Sequence, residues 1–135
     1  IYKTVKIPPA ELRDGPDFLS IEDFDYGWAD TNIVTIMLRV SSGTFQAYAT
    51  CDCATRQLCD FVDQLQKMYE FKCFNAELSA MYYGSSVTLS MRRTGHIQVE
   101  GKIFSDGMDQ CLTFTFGTDL SALQPFISGL KRMIS

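Results

Sequence analysis

The sequence predicts an α+β fold in which a mainly antiparallel β-sheet carries two amphipathic helices packed on one face. Most segments after about Phe18 alternate between apolar and polar residues, which is the pattern of a half-buried strand. Two further segments repeat apolar residues at i, i+3 and i+4, which is the pattern of a helix with one buried side. The order of strands, helix, strands and helix is typical of helices laid on a sheet.

The size and composition predict a single domain over residues 1–135. Apolar residues make up 46% of the chain and charged residues 21%, which is the balance of a chain that buries one core. Pro8 and Pro9, followed by Gly15 and Pro16, interrupt the start, so we expect residues 1–17 to be loosely attached. No apolar run approaches the length of a membrane span, and no signal peptide is expected at the start.

The alternation defines strands on both sides of a central helix. One strand has apolar residues on one face at Val34, Ile36, Leu38 and Val40. After a turn at residues 41–43, the next strand turns Phe45, Ala47, Ala49 and Cys51 to one side and Thr44, Gln46, Tyr48 and Thr50 to the other. Four more alternating segments begin near residues 74, 87, 97 and 112. Thr94-Gly95 and Asp106-Gly107 suit hairpin turns, so these later strands should form an antiparallel meander.

Two segments have helical periodicity. The first covers residues 54–70 and has its apolar stripe at Leu58, Phe61, Val62, Leu65, Met68 and Tyr69. The second closes the chain, with its stripe at Leu123, Phe126, Ile127, Leu130 and Ile134. Pro125 would break a helix interior, so the helix should begin shortly before it, with Ser121 as the N-cap.

The residues that could support catalysis or bind a metal form no recognised motif. The single histidine, His96, lies on the polar side of its strand beside a turn, and we expect it to be exposed. The five cysteines, an odd number with irregular spacing, are Cys51, Cys53, Cys59, Cys73 and Cys111. They are interpreted as reduced thiols of a cytoplasmic protein. We therefore expect no catalytic residues, no metal and no cofactor, and a chain that is not an enzyme.

Acidic residues are concentrated near the start of the chain. Residues 11–30 contain seven acidic residues and one basic residue, a local net charge of −6, whereas the whole chain has −4. This balance argues against nucleic acid or a membrane as the partner. The aromatic residues Phe24, Tyr26 and Trp28 lie within the same segment, and aromatic anchors among charges are typical of protein interfaces. The alternative for Phe24 and Trp28 is burial in the core.

Two groups of residues are the candidate partner-binding positions. The first group is the acidic and aromatic one, Glu22, Asp23, Asp25, Tyr26, Trp28 and Asp30. The second group is Tyr82 and Tyr83, where two tyrosines precede the turn glycine Gly84. For this pair, ordinary strand residues flanking a turn are the alternative interpretation.

The chain resembles the WapI-like immunity proteins of bacterial contact-dependent and wall-associated polymorphic toxin systems. The resemblance covers about residues 18–134 and rests on the order of elements: the helix near residues 58–69, the strand and turn region 74–101, and the closing strand at residues 112–119 that enters the last helix. It implies a cytoplasmic protein that binds a cognate C-terminal toxin domain, often a nuclease, and keeps it inactive. It implies no catalytic residues.

Two other functions remain open from the residues alone. Small acidic α+β proteins also act as secretion chaperones that hold an extended segment of an effector. The other alternative is a small enzyme or a metal- or ligand-binding domain that uses His96 or the cysteines.

Overall fold

The computed structural model describes residues 8–26, 32–81, 84–105, 107 and 109–134. These residues form eight strands and two helices, in the order four strands, one helix, four strands and one helix. The strands are β1 (Ala10–Asp14), β2 (Asp17–Tyr26), β3 (Ile33–Ser42), β4 (Phe45–Ala54), β5 (Asn75–Ser79), β6 (Ser86–Met91), β7 (His96–Phe104) and β8 (Cys111–Asp119). The helices are α1 (Thr55–Tyr69) and α2 (Leu120–Ile134).

The strands form two antiparallel sheets of four strands each. The first sheet has the order β1-β2-β3-β4 and the second β5-β6-β7-β8, so each is a meander in chain order. This confirms the α+β class, the antiparallel pairing and the two helices. The strands are divided between two sheets where the sequence indicated one, because alternation identifies a strand without identifying the strand it pairs with.

Strand β1 lies within the first 17 residues and is an edge of the first sheet. Leu12 pairs with Leu19 of β2 and Ala10 pairs with Ile21, and all four side chains are buried. Gly15 and Pro16 form the two-residue turn between β1 and β2, and Gly15 has a φ of 61°, which glycine adopts without strain. Pro8 and Pro9 therefore precede a paired strand, and Gly15 and Pro16 follow it.

Each helix packs on the first strand of the other half of the chain. Helix α1 follows the first sheet and packs on β5, and α2 follows the second sheet and packs on β1. The helices also contact each other, with the rings of Phe61 and Phe126 edge to face at 6.4 Å between centroids. The inner faces of both sheets and the apolar stripes of both helices form one core. Neither described helix is long and apolar enough to cross a membrane.

The cap of helix α2 lies at Asp119, two residues before the expected cap at Ser121. The Ser121 N–H donates to Asp119 Oδ1 at 2.9 Å and the Ser121 hydroxyl donates to the same oxygen, so Asp119 is the capping residue. These hydrogen bonds, first the one from the Ser121 hydroxyl, hold the pKa of Asp119 below its usual range. Pro125 lies inside the helix in its second turn, where it lacks the N–H that would donate to the Ser121 carbonyl.

The contact between α2 and β1 depends on a glycine. Gly129 is buried in α2, and a Cβ atom placed there would lie 2.9 Å from the Cβ of Ala10 and 3.0 Å from its Cα. Both distances are shorter than an ordinary carbon–carbon contact of about 3.5–4.0 Å. The helix and the edge strand therefore approach each other at the one position of α2 that has no side chain.

We expect Gly129→Ala to destabilise the protein by about 1–3 kcal/mol, because overpacking outweighs the gain in helix propensity. Urea denaturation followed by circular dichroism measures the change. Ser128→Ala is the control, since Ser128 is exposed on the same helix and should change stability by no more than about 0.5 kcal/mol. A Gly129→Ala variant more stable than the parent would contradict the close packing.

Candidate functional site

The outer face of the first sheet, turned away from the core, displays polar and charged side chains in rows across β2, β3 and β4. In one row, Asp25 pairs with Thr35, which pairs with Asp52. The Thr35 hydroxyl donates to Asp52 Oδ1 at 2.7 Å. The strand pairing thus brings together two acidic residues that lie 27 positions apart in the sequence.

A β-bulge in β2 places Glu22 and Asp25 on the same face. Glu22 pairs with Met37 and Asp25 with Thr35, so β2 has one residue more than β3 across this interval. Asp23 lies in the bulge with a φ of 54°, which Asp tolerates better than most residues. Strict alternation would have placed Glu22 and Asp25 on opposite faces. The bulge instead exposes Asp25 and directs the partly buried Phe24 toward the core.

Glu22 is held by two neighbours on the outer face. Its Oε2 accepts a hydrogen bond from the Ser20 hydroxyl at 2.9 Å and another from Arg39 Nε at 3.1 Å. The second contact is also an ion pair. Only 22% of the Glu22 side chain is exposed. The Arg39 guanidinium also lies over the Tyr48 ring, 5.3 Å from its centroid. The position of the Glu22 side chain is therefore fixed, and its negative charge is neutralised by Arg39.

We call Glu22, Asp23, Asp25 and Asp52 the acidic patch. Asp23, Asp25 and Asp52 are exposed, and Arg39 is paired with Glu22. The patch therefore carries a net negative charge. Beside it, 64% of Tyr48 is exposed. The arrangement combines acidic side chains with an exposed aromatic ring on a rigid, hydrogen-bonded sheet.

The structure describes part of the predicted binding group. Glu22, Asp23 and Asp25 lie in or beside the bulge, and Tyr26 ends β2 with its backbone paired to Val34. The four remaining predicted residues lie outside the described residues: Trp28, Asp30, Tyr82 and Tyr83. The contact role of all eight residues stays a prediction.

Three residues of this surface were missed by the sequence analysis as site residues: Arg39, Tyr48 and Asp52. The alternation of β4 had placed Tyr48 on the polar side of its strand, which was a signal for exposure. What the sequence lacked was the register, which sets Asp52 opposite Thr35 and Tyr48 opposite Arg39. Their closeness to Glu22 and Asp25 follows only from the pairing of three strands.

The segment that leads to the tyrosine pair contacts the acidic patch. The backbone N–H of Met81, the residue before Tyr82, donates to the Asp52 carbonyl at 2.7 Å. Met81 is itself 44% exposed. The contact joins the chain after β5 to the edge of the first sheet at Asp52.

The cysteines and the histidine form no reactive centre in the described part of the chain. Cys51 and Cys53 are buried on the inner side of β4, whereas Cys59 and Cys111 are exposed on different elements. Burial, with smaller effects of Cys51 and Asp52, raises the pKa of the Cys53 thiol to about 12, so this thiol stays neutral. Among the described residues, no group of three or more His, Cys, Asp or Glu could hold a metal ion.

The expected exposure of His96 is confirmed. It begins β7 on the outer face of the second sheet, and its ring lies beside Gly117 of β8, 3.3 Å from the position a Cβ would take there. In the register of β7 and β8 it faces Asp119, the cap of α2. The histidine therefore belongs to the surface around the start of α2, on a different sheet from the acidic patch.

The positive φ of Asp23 in the bulge leads to a prediction about the stability of variants at this position. Asp23→Val should destabilise the protein by about 1–2 kcal/mol, because a β-branched residue is strained at positive φ. Asp23→Asn keeps the shape and tolerates this conformation, so its stability should stay within about 0.5 kcal/mol of the parent. Urea denaturation of both variants provides the measurement. Equal stability of the Val and Asn variants would show that residue 23 is not held in the left-handed region.

Several solved structures share this fold. The plant transcriptional regulator PBF-2 superposes with a TM-score of 0.58 at 5% identity, covering 98% of this chain and 82% of that chain. WHY1 from Arabidopsis thaliana gives 0.56 at 6% identity, with 98% and 86% covered. The Trypanosoma bruciei MRP1/MRP2 structure gives 0.51 at 11% identity, with 96% and 80% covered. At these identities the likeness shows the fold alone.

The family of the chain is established by its sequence. No curated protein is significantly similar to it. The profile of the family described as "Immunity protein WapI-like family" matches residues 12–135, nearly the whole chain. This match confirms the resemblance drawn from the order of elements and supports an immunity role. The chain belongs to the WapI-like immunity protein family.

Proposed function

We propose that this chain binds the cognate C-terminal toxin domain of a contact-dependent or other polymorphic toxin in the bacterial cytoplasm and inhibits it stoichiometrically. Family membership supports the immunity role. The observation that carries the binding mode is the acidic patch, where the bulge at Asp23 gathers Glu22, Asp25 and Asp52 on one exposed face. The contact surface includes this patch and the side chains beside it.

The charge of the patch suits a toxin domain that acts on nucleic acid. A nuclease needs a positive surface to hold its substrate, and a negative patch is attracted to that surface over distances of about 8–10 Å at physiological salt. Such attraction raises the association rate and favours the correct orientation more than it raises the final affinity. Covering the positive surface would exclude the substrate without any chemical step.

The side chains beside the patch supply contact area. Tyr48 and Arg39 are residue types enriched among those that contribute most to binding, and Tyr48 is largely exposed. Arg39 is held between Glu22 and the Tyr48 ring, so its geometry is set before a partner arrives. Little side-chain entropy would then be lost on binding. We propose that Tyr48 is an apolar anchor and the acidic residues form the charged rim around it.

Reversal of charge tests the patch. The double variant with Asp23→Lys and Asp25→Lys should weaken binding of the toxin domain at least about tenfold, because repulsion replaces attraction. The affinity of this variant should also depend less on salt concentration than that of the parent. Isothermal titration calorimetry with the cognate toxin domain, at two salt concentrations, measures both effects.

A control variant separates local charge from net charge. Asp60 of α1 and Glu100 of β7 are exposed away from the patch. The double variant with Asp60→Lys and Glu100→Lys has the same net charge as the test variant and should bind within about threefold of the parent. Equal affinity of the two double variants would refute the role of the patch. Wild-type chain that neither binds nor inhibits the toxin domain would refute the proposed function itself.

A further inference from the structure

Strand β4 is an edge of the first sheet, and the backbone groups of alternate residues face away from β3. The turn between β3 and β4 has two residues, Gly43 and Thr44, with Gly43 at a φ of 63°. In such a hairpin the closing pair, here Ser42 and Phe45, is hydrogen-bonded. Odd-numbered residues of β4 therefore direct their backbone groups to β3. Even-numbered residues direct theirs away from the sheet.

Two hydrogen bonds near the other end of β4 support this assignment. The Thr55 N–H donates to the Asn32 carbonyl at 2.8 Å. Thr55 thus continues the pattern in which odd-numbered residues bond toward the β3 side. The Met81 N–H donates to the Asp52 carbonyl at 2.7 Å from the opposite side. The edge is thus covered at Asp52. For Gln46 and Tyr48, the described residues supply no backbone partner on this side.

A groove runs beside the open part of this edge. It has a volume of about 390 Å³ and lies between β4 and the ends of β7 and β8. On the β4 side it is lined by Gln46, Ala47 and Tyr48. Among the described residues, its opposite wall includes Ile103, Ser105, Gln110, Cys111 and Leu112. The volume is at the lower end of the range for pockets that take a small ligand or a few side chains.

Within the described part of the chain, the edge at Gln46 and Tyr48 lacks the features that usually prevent strand addition. Natural edge strands are protected by charged residues, prolines, bulges or a covering element. Residues 45–50 of β4 contain no charged residue and no proline, and the register with β3 runs without a bulge. Phe45 and Tyr48 in this stretch are 66% and 64% exposed. The edge is therefore suited to pairing with another extended chain.

We propose that an extended segment of the toxin domain adds to the edge of β4 as a fifth strand of the first sheet. The inference rests on the proposed function and names the contact by which it occurs. Backbone groups of Gln46 and Tyr48 would pair with the segment, in the manner of peptides that bind by β-strand addition. The covered position at Asp52 fixes where the pairing ends.

The surroundings of the edge specify the side chains of that segment. Residues of an added strand alternate between the two faces of the sheet. Those on the outer face would lie next to Tyr48, whose ring is in contact with Arg39. The end of the segment nearest Asp52 would approach the acidic patch, so a basic residue is favoured at that end only. Those on the other face would lie next to Ala47 and to Phe45, which is 66% exposed, so apolar residues are favoured. The segment is therefore an extended one with apolar residues on the inner face and a basic residue at the end nearest Asp52.

Proline substitution tests the backbone contact. Gln46→Pro removes the N–H that faces the free edge, and proline is tolerated at such a position of an edge strand. Arg13→Pro is the matched control on β1, which is the opposite edge of the sheet. The turn at Gly15 and Pro16 makes Asp14 and Asp17 the hydrogen-bonded closing pair, so the N–H of Arg13 faces away from β2. Both variants should keep the circular dichroism spectrum of the parent.

The two variants should differ in their affinity for the cognate toxin domain. Gln46→Pro should lower the affinity by about tenfold or more, and Arg13→Pro should leave it within about twofold. Parent-like affinity for Gln46→Pro would overturn strand addition at β4 and leave the proposed function intact. Absence of binding by the unmodified chain would overturn the proposed function as well.

If Gln46→Pro does not fold, alkylation of the unmodified chain tests whether the toxin domain covers the groove beside β4. Cys111 is exposed in the groove, and Cys59 is exposed on α1 outside it. Saturating toxin domain should slow iodoacetamide modification of Cys111 by about tenfold or more and leave Cys59 unchanged, as measured by mass spectrometry. An unchanged rate at Cys111 in the saturated complex would overturn the proposal.

Discussion

The packing of each helix on the first strand of the other sheet holds the molecule together. Helix α1 lies on β5 and α2 lies on β1, so neither half of the chain can complete its core alone. The closest approach is between Gly129 and Ala10, where there is no room for a side chain on the helix. Because both helices occupy the buried side of the sheets, the outer face of the first sheet is left exposed.

That outer face depends on register. One extra residue at Asp23 shifts the alternation of β2, and the pairing of β3 with β4 then brings Asp52 and Tyr48 alongside. The result is an acidic patch with a fixed arginine and an exposed aromatic ring. A patch of this kind on a hydrogen-bonded sheet is rigid before binding, which lowers the entropy lost on association. The open edge of β4 adjoins it, so the charge and the backbone of one surface can act on the same partner.

Local features of this fold are predictable from the sequence and non-local ones are not. The stripe that includes Phe61 and Leu65 identifies α1 nearly to the residue, because helical period is a local property. The separation into two sheets and the bulge at Asp23 depend on which strands pair. The cap is a local feature, but both Asp119 and Ser121 are suitable capping residues and the sequence does not decide between them. The site divides in the same way. The acidity around Glu22 and Asp25 is visible in the chain, whereas the contribution of Asp52 requires the three-dimensional register.

The central claim is that the outer face of the first sheet and the edge of β4 bind the toxin domain. Hydrogen–deuterium exchange of the chain, alone and in the complex, tests it most directly, because the backbone amides of Gln46 and Tyr48 face the free edge. Strand addition predicts strong slowing of exchange at these two amides, together with slowing around Asp23 and Asp25. Unchanged exchange in both regions, with slowing confined to the helices or the second sheet, would contradict the account.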